Sequence, residues 1–399
     1  MKKTGCFSLT NLLRTGTVVL LAGLIILSCN QDAIFYNISI EPEPKDPIIP
    51  GSPTNMTVVH NKIYVGTQQG RDVWFYNGAW GKLLPRPGGS IGGFATDGTD
   101  LYVLVFPTGE PMDSSMIRKF NGGGWTDLYY APAGYLIQNI YNADGKIFAG
   151  AQSRANYLSY AILYLDTVTS SFTPIKEGTS LLKGAAEASG EIFLATAGSG
   201  VITIDGTNTI VQDPVPGTEG IIMTGIIETG GTIVAVSSTR DANGRIYLYD
   251  STEQLFVAHP GGVNFTGAMS VWKKYDSDTS TWNPALLLLG IRGEGTSTTH
   301  GYRELPLKNT GAPASTGIRA PGDDPFSTVK NKPKYTASLG KHPVHAILQT
   351  PDQSDGGPLN YAANIATYGS GWQPPIFAST SRDGLWVYSY ADDQWNAQD

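Results

Sequence analysis

"STSRDGLWVYSY", residues Ser379 to Tyr390, has two near copies far upstream, "GTQQGRDVWFY" from Gly66 and "SSTRDANGRIYLYD" from Ser237. In each, small residues lead into an Arg-Asp turn, and the turn leads into an aromatic-aliphatic strand. A motif spaced over that much chain calls for a search for a repeating unit. The strand that precedes the turn recurs seven times: "KIYVG" at 62, "DLYVLV" at 100, "KIFAG" at 146, "EIFLA" at 191, "TIVAV" at 232, "ALLLLG" at 285 and "PIFAS" at 375.

Ahead of most of these lies another short apolar strand and a tight turn, as in "QNIYNADGKIFA", "GAAEASGEIFLA" and "GIIETGGTIVAV". The Asp-Gly, Ser-Gly and Gly-Gly pairs supply the positive φ that two-residue hairpins need. After each comes a loop, a third strand, a turn and usually an aromatic: "VWFYNGAW", "IRKFNGGGW", "AILYLDTVTSSF", "VITIDGTNTI", "RIYLYDSTEQLF" and "LWVYSYADDQW". The sixth unit, around "YRELPL", is the least regular. Four antiparallel strands joined in sequence are the blade of a β-propeller. Seven units over residues 56–399 average roughly 49 residues, so the sequence predicts an all-β, seven-bladed propeller of four-stranded blades. A β-sandwich needs fewer strands, and a β-helix has a shorter, more constant period.

Strand direction assigns loops to faces. Connections between second and third strands open on one face, and first-to-second and third-to-fourth connections on the other. Five units place an Arg on the first face: Arg71, Arg154, Arg240, Arg292 and Arg382. A ring of guanidinium groups suits a carboxylate, phosphate or acidic glycan. Asp72, Asp241 and Asp383 follow three of them and Glu294 lies near Arg292, so mutual neutralisation at the surface is the competing reading. On the second face, units six and seven carry the long insertions, Lys274 to Asn283, Lys308 to Phe326 and Thr350 to Pro374. In or beside them Trp272, Trp282, Tyr361, Tyr368 and Trp372 offer stacking surfaces for sugars or a protein partner, or else cap exposed blade edges.

The N-terminus carries a different signal. Lys2, Lys3 and Arg14 precede the apolar run Val18 to Leu27, which is too short to span a bilayer and reads as a secretory leader. Ile26-Leu27-Ser28-Cys29 resembles the lipobox of bacterial lipoproteins, with Ile26 where that family usually has Leu. The resemblance implies cleavage after residue 28, diacylation of Cys29, and anchoring in the cell envelope, with Asn30 leaving the outer membrane open as the destination. Cys6 leaves with the leader, so the mature chain holds no disulfide and depends on burial. Residues 29–55 then read as a lipidated N-terminus and tether, with Pro at 42, 44, 47, 50 and 53. Within it "AIFYNISI" (Ala33 to Ile40) is strand-like, either linker or an added edge strand.

Composition narrows the function. The formal charge is −7, and Lys2, Lys3 and Arg14 account for three of the positive charges, so the chain without them carries −10. An acidic body argues against a nucleic-acid partner. Catalytic and cofactor motifs are lacking: there is no phosphate loop, nucleophile elbow or zinc spacing, and His342 and His345 fall on opposite sides of a strand. Asp276 and Asp278 resemble a calcium loop only remotely. The pattern loosely resembles periplasmic and surface propeller repeats of bacteria. The expectation is a lipid-anchored, non-enzymatic binding module for a glycan, an anionic ligand or a protein, without metal or cofactor. A scaffold role in outer-membrane assembly and a glycan hydrolase stand as the alternatives.

Overall fold

The computed structural model describes Ile49 and residues 55–397, apart from 68–70, 108–113, 240–243, 262, 293–300, 315–316, 319–338, 340–342, 381–383 and 391–393. Cys29, the leader, Ala33 to Ile40 and most of the tether lie outside the described residues.

Seven antiparallel sheets follow one another along the chain, each ordered as in the sequence. Blade one is β1 (Thr57–Val59), β2 (Lys62–Gly66), β3 (Val73–Tyr76) and β4 (Trp80–Lys82). Blade two is β5 (Gly89–Thr96), β6 (Leu101–Pro107), β7 (Met116–Phe120) and β8 (Trp125–Tyr130). Blade three is β9 (Tyr135–Ala143), β10 (Lys146–Ser153), β11 (Tyr160–Asp166) and β12 (Ser171–Thr179). Blade four is β13 (Leu182–Ala188), β14 (Glu191–Thr196), β15 (Gly200–Ile204) and β16 (Ile210–Gln212). Blade five is β17 (Met223–Thr229), β18 (Thr232–Ser237), β19 (Arg245–Asp250) and β20 (Leu255–Pro260). Blade six has three strands among the described residues, β21 (Phe265–Asp276), β22 (Thr281–Ile291) and β23 (Tyr302–Pro306). Blade seven is β24 (Val344–Gln349), β25 (Ile376–Thr380), β26 (Leu385–Ser389) and β27 (Gln394–Ala397).

The seven second strands expected from the sequence are β2, β6, β10, β14, β18, β22 and β25. Their apolar runs are continuous because a blade is covered on both faces by its neighbours, so both sides of the pleat are buried. In β14 and β18 every residue after the first is buried. Accordingly there is no single core. The buried side chains form seven clusters, each at the seam between two adjacent blades.

First strands line the centre and touch around the ring. Asn55 reaches from beside β1 to both backbone groups of Phe94 in β5, at 2.7 and 2.8 Å. Asn142 accepts from the N–H of Thr96, and Asn139 donates to the carbonyl of Leu182. Between β17 and β21 the strands approach so closely that a Cβ on Gly225 would lie 2.6 Å from the Cα of Gly267, which leaves room for glycine alone. Gln349 in β24 accepts from the N–H of Lys273 in β21 and donates to its carbonyl, at 2.7 and 3.0 Å.

The hairpin chemistry is as the dipeptides imply. Asp144-Gly145, Ser189-Gly190 and Gly230-Gly231 all have positive φ at both positions. A second device recurs after the third strand, where Asn121, Asp166, Asp205 and Asp250 each accept backbone N–H bonds from residues two to four positions on. These turns follow the third strand and are distinct from the Arg-Asp turn that precedes it in the repeated motif.

The ring closes differently from its other seams. Blade one is complete within residues 57–82 and blade seven within 344–397, so the two ends meet through side chains. Tyr76 and Trp80 pack edge-on against Phe377 with ring centroids 5.0 and 5.2 Å apart. Ile49, from the tether, is fully buried among Ile63, Val65, Phe377 and Leu385 at this seam.

Candidate ligand-binding surfaces

The insertions of blades six and seven build one defined cleft on the second face. The segment Lys274 to Asn283, expected as a loop, is instead the continuation of β21 and β22 into a long hairpin with residues 277–280 as its turn. Within it Tyr275 and Trp282 are direct cross-strand partners, their rings 5.3 Å apart. Facing the hairpin is the insertion between β24 and β25, which carries a 3-10 turn (Gln353–Asp355) and the helix α1 (Tyr361–Tyr368).

Asp352 fixes that insertion. One carboxylate oxygen accepts from the backbone N–H and hydroxyl of Ser354, both at 2.8 Å, and the other from the N–H of Tyr361 at 2.7 Å. Burial alone would raise its pKa, but these hydrogen bonds hold it below the ordinary value. Asn360 caps α1 by accepting from the N–H of Ala363. The Tyr361 hydroxyl donates to the carbonyl of Thr350. Tyr361 is thereby buried, and burial raises the pKa of its hydroxyl.

The two walls meet through aromatic rings. Trp282 lies 4.6 Å from Tyr361 and 6.0 Å from Trp372, and Tyr361 lies 5.5 Å from Trp372. Lys273 and Asp355 bridge the rim with a 2.7 Å ion pair. Between the walls is a cavity of about 440 Å³ bordered by Lys273, Tyr275, Trp282, Asp355, Tyr361 and Ala362. An aromatic-walled cavity with a few oriented polar groups is the usual form of a small-ligand site.

Three of the five aromatics singled out on this face therefore come together, Trp282 and Trp372 half-buried and Tyr361 buried. Tyr368 stands exposed at the end of α1. Trp272 requires a correction, because it is 0% exposed and offers no stacking surface. It packs at the seam of blades six and seven with Leu286, Leu288 and Tyr302, and its Nε1 meets the Tyr390 hydroxyl. A register shift between Trp272 and Lys273 separates the core side of β21 from its cavity side. Sequence reasoning missed Lys273, Tyr275, Asp352 and Asp355. The run "PDQSDGG" at 351 carried the missed signal of an Asx cap opening a structured insertion.

On the first face Arg71, Arg154 and Arg292 are exposed, and Arg240 and Arg382 lie outside the described residues. The expected neutralisation of Arg71 by Asp72 gives way to another pairing. The Asp72 carboxylate turns to Lys82 at 3.2 Å and Arg86 at 2.6 Å. Arg292 stands at the end of β22 beside His345, the second residue of β24. Desolvation, with the Arg292 charge second, lowers the pKa of His345. His342 lies outside the described residues. Asp276 accepts from the N–H of Asp278 and is thus a turn-former in the long hairpin. No group of three or more His, Cys, Asp or Glu suited to a metal occurs among the described residues.

No protein-family model matches the sequence. No curated protein matches it either. Among solved structures the fold is similar to a chain of the mitotic checkpoint complex, with a TM-score of 0.52 and 11% identity over 87% of this chain and 95% of that one. The WD40 propeller domain of Doa1 aligns with a TM-score of 0.47 and 10% identity over 85% of this chain and 92% of that one. At such identity the likeness is one of fold, a seven-bladed β-propeller.

Proposed function

We propose that this protein is a lipid-anchored binding module of the cell envelope, with its ligand site in the cleft between the β21–β22 hairpin and α1. The propeller fold in general fits a non-catalytic binding or scaffold role. What carries the proposal is the aromatic cavity, where, among the described residues, the insertions of two adjacent blades converge on a shared wall. A rigid ring of blades below and an ion-paired rim above keep those rings in place without a ligand, which limits the ordering cost of binding.

The carboxylates favour binding over hydrolysis. Glycoside cleavage needs an acid whose pKa is raised, paired with an ionised partner. Asp352 has its pKa lowered and its oxygens engaged, and Asp355 is in an ion pair with Lys273. Anchoring rests on the Cys29 motif and the Pro-rich tether, which would hold the propeller away from the membrane.

Two measurements test the proposal. Mass spectrometry of the mature N-terminus should find a diacylated Cys29, and Cys29→Ala should release the protein from the membrane fraction. Screening against glycans and envelope proteins should find a ligand whose binding is lost in Trp282→Ala. A ligand indifferent to Trp282 and dependent on the first-face arginines would place the site on the other side of the ring.

A further inference from the structure

Resting on that reading of the second face, we infer that the cleft is one end of an elongated site for a linear, uncharged glycan laid across blades five, six and seven. Two more cavities continue the first. One of about 370 Å³ lies on the far side of the long hairpin, bordered by Lys274, Tyr275, Asp276, Asn283 and Asn309. The next, about 400 Å³, lies against blade five, bordered by Tyr249, Asp250, His259, Lys308 and Pro313. Shared elements connect them. Tyr275 lines the first two cavities, and the turn at residues 308–313 supplies walls to the second and third. That turn is itself clamped to blade five, where the Thr229 hydroxyl donates to the carbonyl of Gly311 at 2.6 Å.

The lining selects the ligand. The aromatic rings stand at the first two cavities, Trp282 in the first and Tyr275 between the first and second, whereas the third is lined by Leu248, Val257 and His259, the Tyr249 ring being packed into the seam of blades four and five against Phe193 and Phe256. Around the rings stand hydroxyls, amides and carboxylates, including Ser280, Thr281, Ser277 and Ser251. Flat apolar ring faces edged by hydrogen-bonding groups complement a pyranose, which has apolar C–H faces and a hydroxyl periphery. Charge is nearly balanced, with Lys273, Lys274 and Lys308 against Asp250, Asp276, Asp352 and Asp355. Such a lining has no excess of cations to hold a polyanion. An extended peptide would be expected to add to a free strand edge or to fill apolar pockets. The first two cavities lie along the long hairpin and are edged by polar groups, and only the third borders an outer strand, β20.

The test is calorimetric titration of the full mature chain in detergent with short and long oligosaccharides of uncharged linear glucans, xylans and mannans. The expected result is binding that tightens about tenfold or more from short to long members of one series. Ala362→Arg, a change on the exposed side of α1 that fills the first cavity, should weaken the whole series at least tenfold. Asn309→Ala should weaken only the long members. Equal affinity for short and long members, with Asn309→Ala silent, overturns the elongated site and leaves the single-cleft binding module standing. A protein ligand that depends on Trp282, with no glycan bound, overturns the glycan assignment alone. Binding confined to polyanions and lost in Arg71→Ala and Arg292→Ala overturns both readings.

Discussion

Blades four and six begin with the same element and use it for opposite purposes. In blade four β13 and β14 close on Ser189-Gly190, and nothing projects beyond the turn. In blade six β21 and β22 run on as partners as far as Asp276 and Thr281, and carry Tyr275 and Trp282 out to meet the insertion of blade seven. The difference teaches that a blade's inner half is fixed by seam packing, while its ends are free to vary. Ring closure and ligand recognition therefore draw on separate residues of the same strand.

Trp272 and Trp282 give the sharpest way to break that separation, because both belong to the one hairpin. Trp272→Ala empties a fully buried seam and should cost about 3–5 kcal/mol in denaturant unfolding. Trp282→Ala, at a half-buried position, should cost much less and remove ligand binding. Equal losses of stability from the two would show that the cleft is part of the core, and the comparison would fail.

The seam between blades one and seven comes next. Among the described residues side-chain packing joins the chain ends there, and Ile49 contributes a fully buried plug from outside the blades. Ile49→Ala should cost about 2–4 kcal/mol, a value expected of a blade residue and not of a tether. Limited proteolysis should then cut blade one or seven before blades three to five. A change within 0.5 kcal/mol of zero, roughly the scatter of surface substitutions, would reduce Ile49 to a passive contact.

Acid should separate the regions by pH window. The folded pKa of His345 lies below its ordinary 6.5, through desolvation and then Arg292. The unfolded chain therefore takes up this proton more readily, and stability falls as pH drops from about 6.5, by a small amount because the His345 side chain is exposed and screened by water. Asp166, Asp205 and Asp276 are held below the ordinary carboxylate value by side-chain hydrogen bonds from Thr169, Thr207 and Thr279, aided by backbone N–H groups. Their contribution is complete above the unfolded value of about 3.9 and is lost as pH falls through the folded values. Melting temperature followed against pH should decline in two stages. His345→Gln should remove the upper stage and Asp205→Asn should shrink the lower. Persistence of the upper stage in the glutamine variant would assign it to another group.

The sequence made the seams legible and left the cleft mostly hidden, for a physical reason. Seams need apolar residues on both sides of a strand, a constraint repeated seven times and visible as "KIYVG" or "EIFLA". Trp282, Tyr361 and Trp372 were visible as aromatics in insertions, but their convergence depends on Gln349, whose partners are the backbone groups of Lys273 and have no sequence signature, and on Asp352, whose cap signal in "PDQSDGG" is local and names no partner across the cleft. Trp272 misled because strand alternation shifts at a bulge beside it. Of the expected ring of arginines only Arg71, Arg154 and Arg292 lie among the described residues, and the partner of Asp72 comes from β4 and the turn after it and not from its neighbour.

The smallest stability effect is expected at the rim of the cleft. Lys273 and Asp355 are each about one-third to two-fifths exposed, 32% and 43%, so their ion pair is screened and should contribute under about 1 kcal/mol to folding. Its role is to hold the hairpin against the 3-10 turn at a set width. Lys273→Met keeps the aliphatic stem and removes the charge, leaving the backbone bonds between Lys273 and Gln349 intact. Unfolding should move by less than that amount while ligand affinity falls several-fold, and Asp355→Asn should do the same. The double variant should lose no more affinity than either single change, since each already breaks the one contact. Additive losses would mean that lysine and aspartate contact the ligand separately, so that the rim recognises rather than positions. That outcome would move recognition outward from the aromatic wall, and with it the boundary between the fixed and the free halves of the blade.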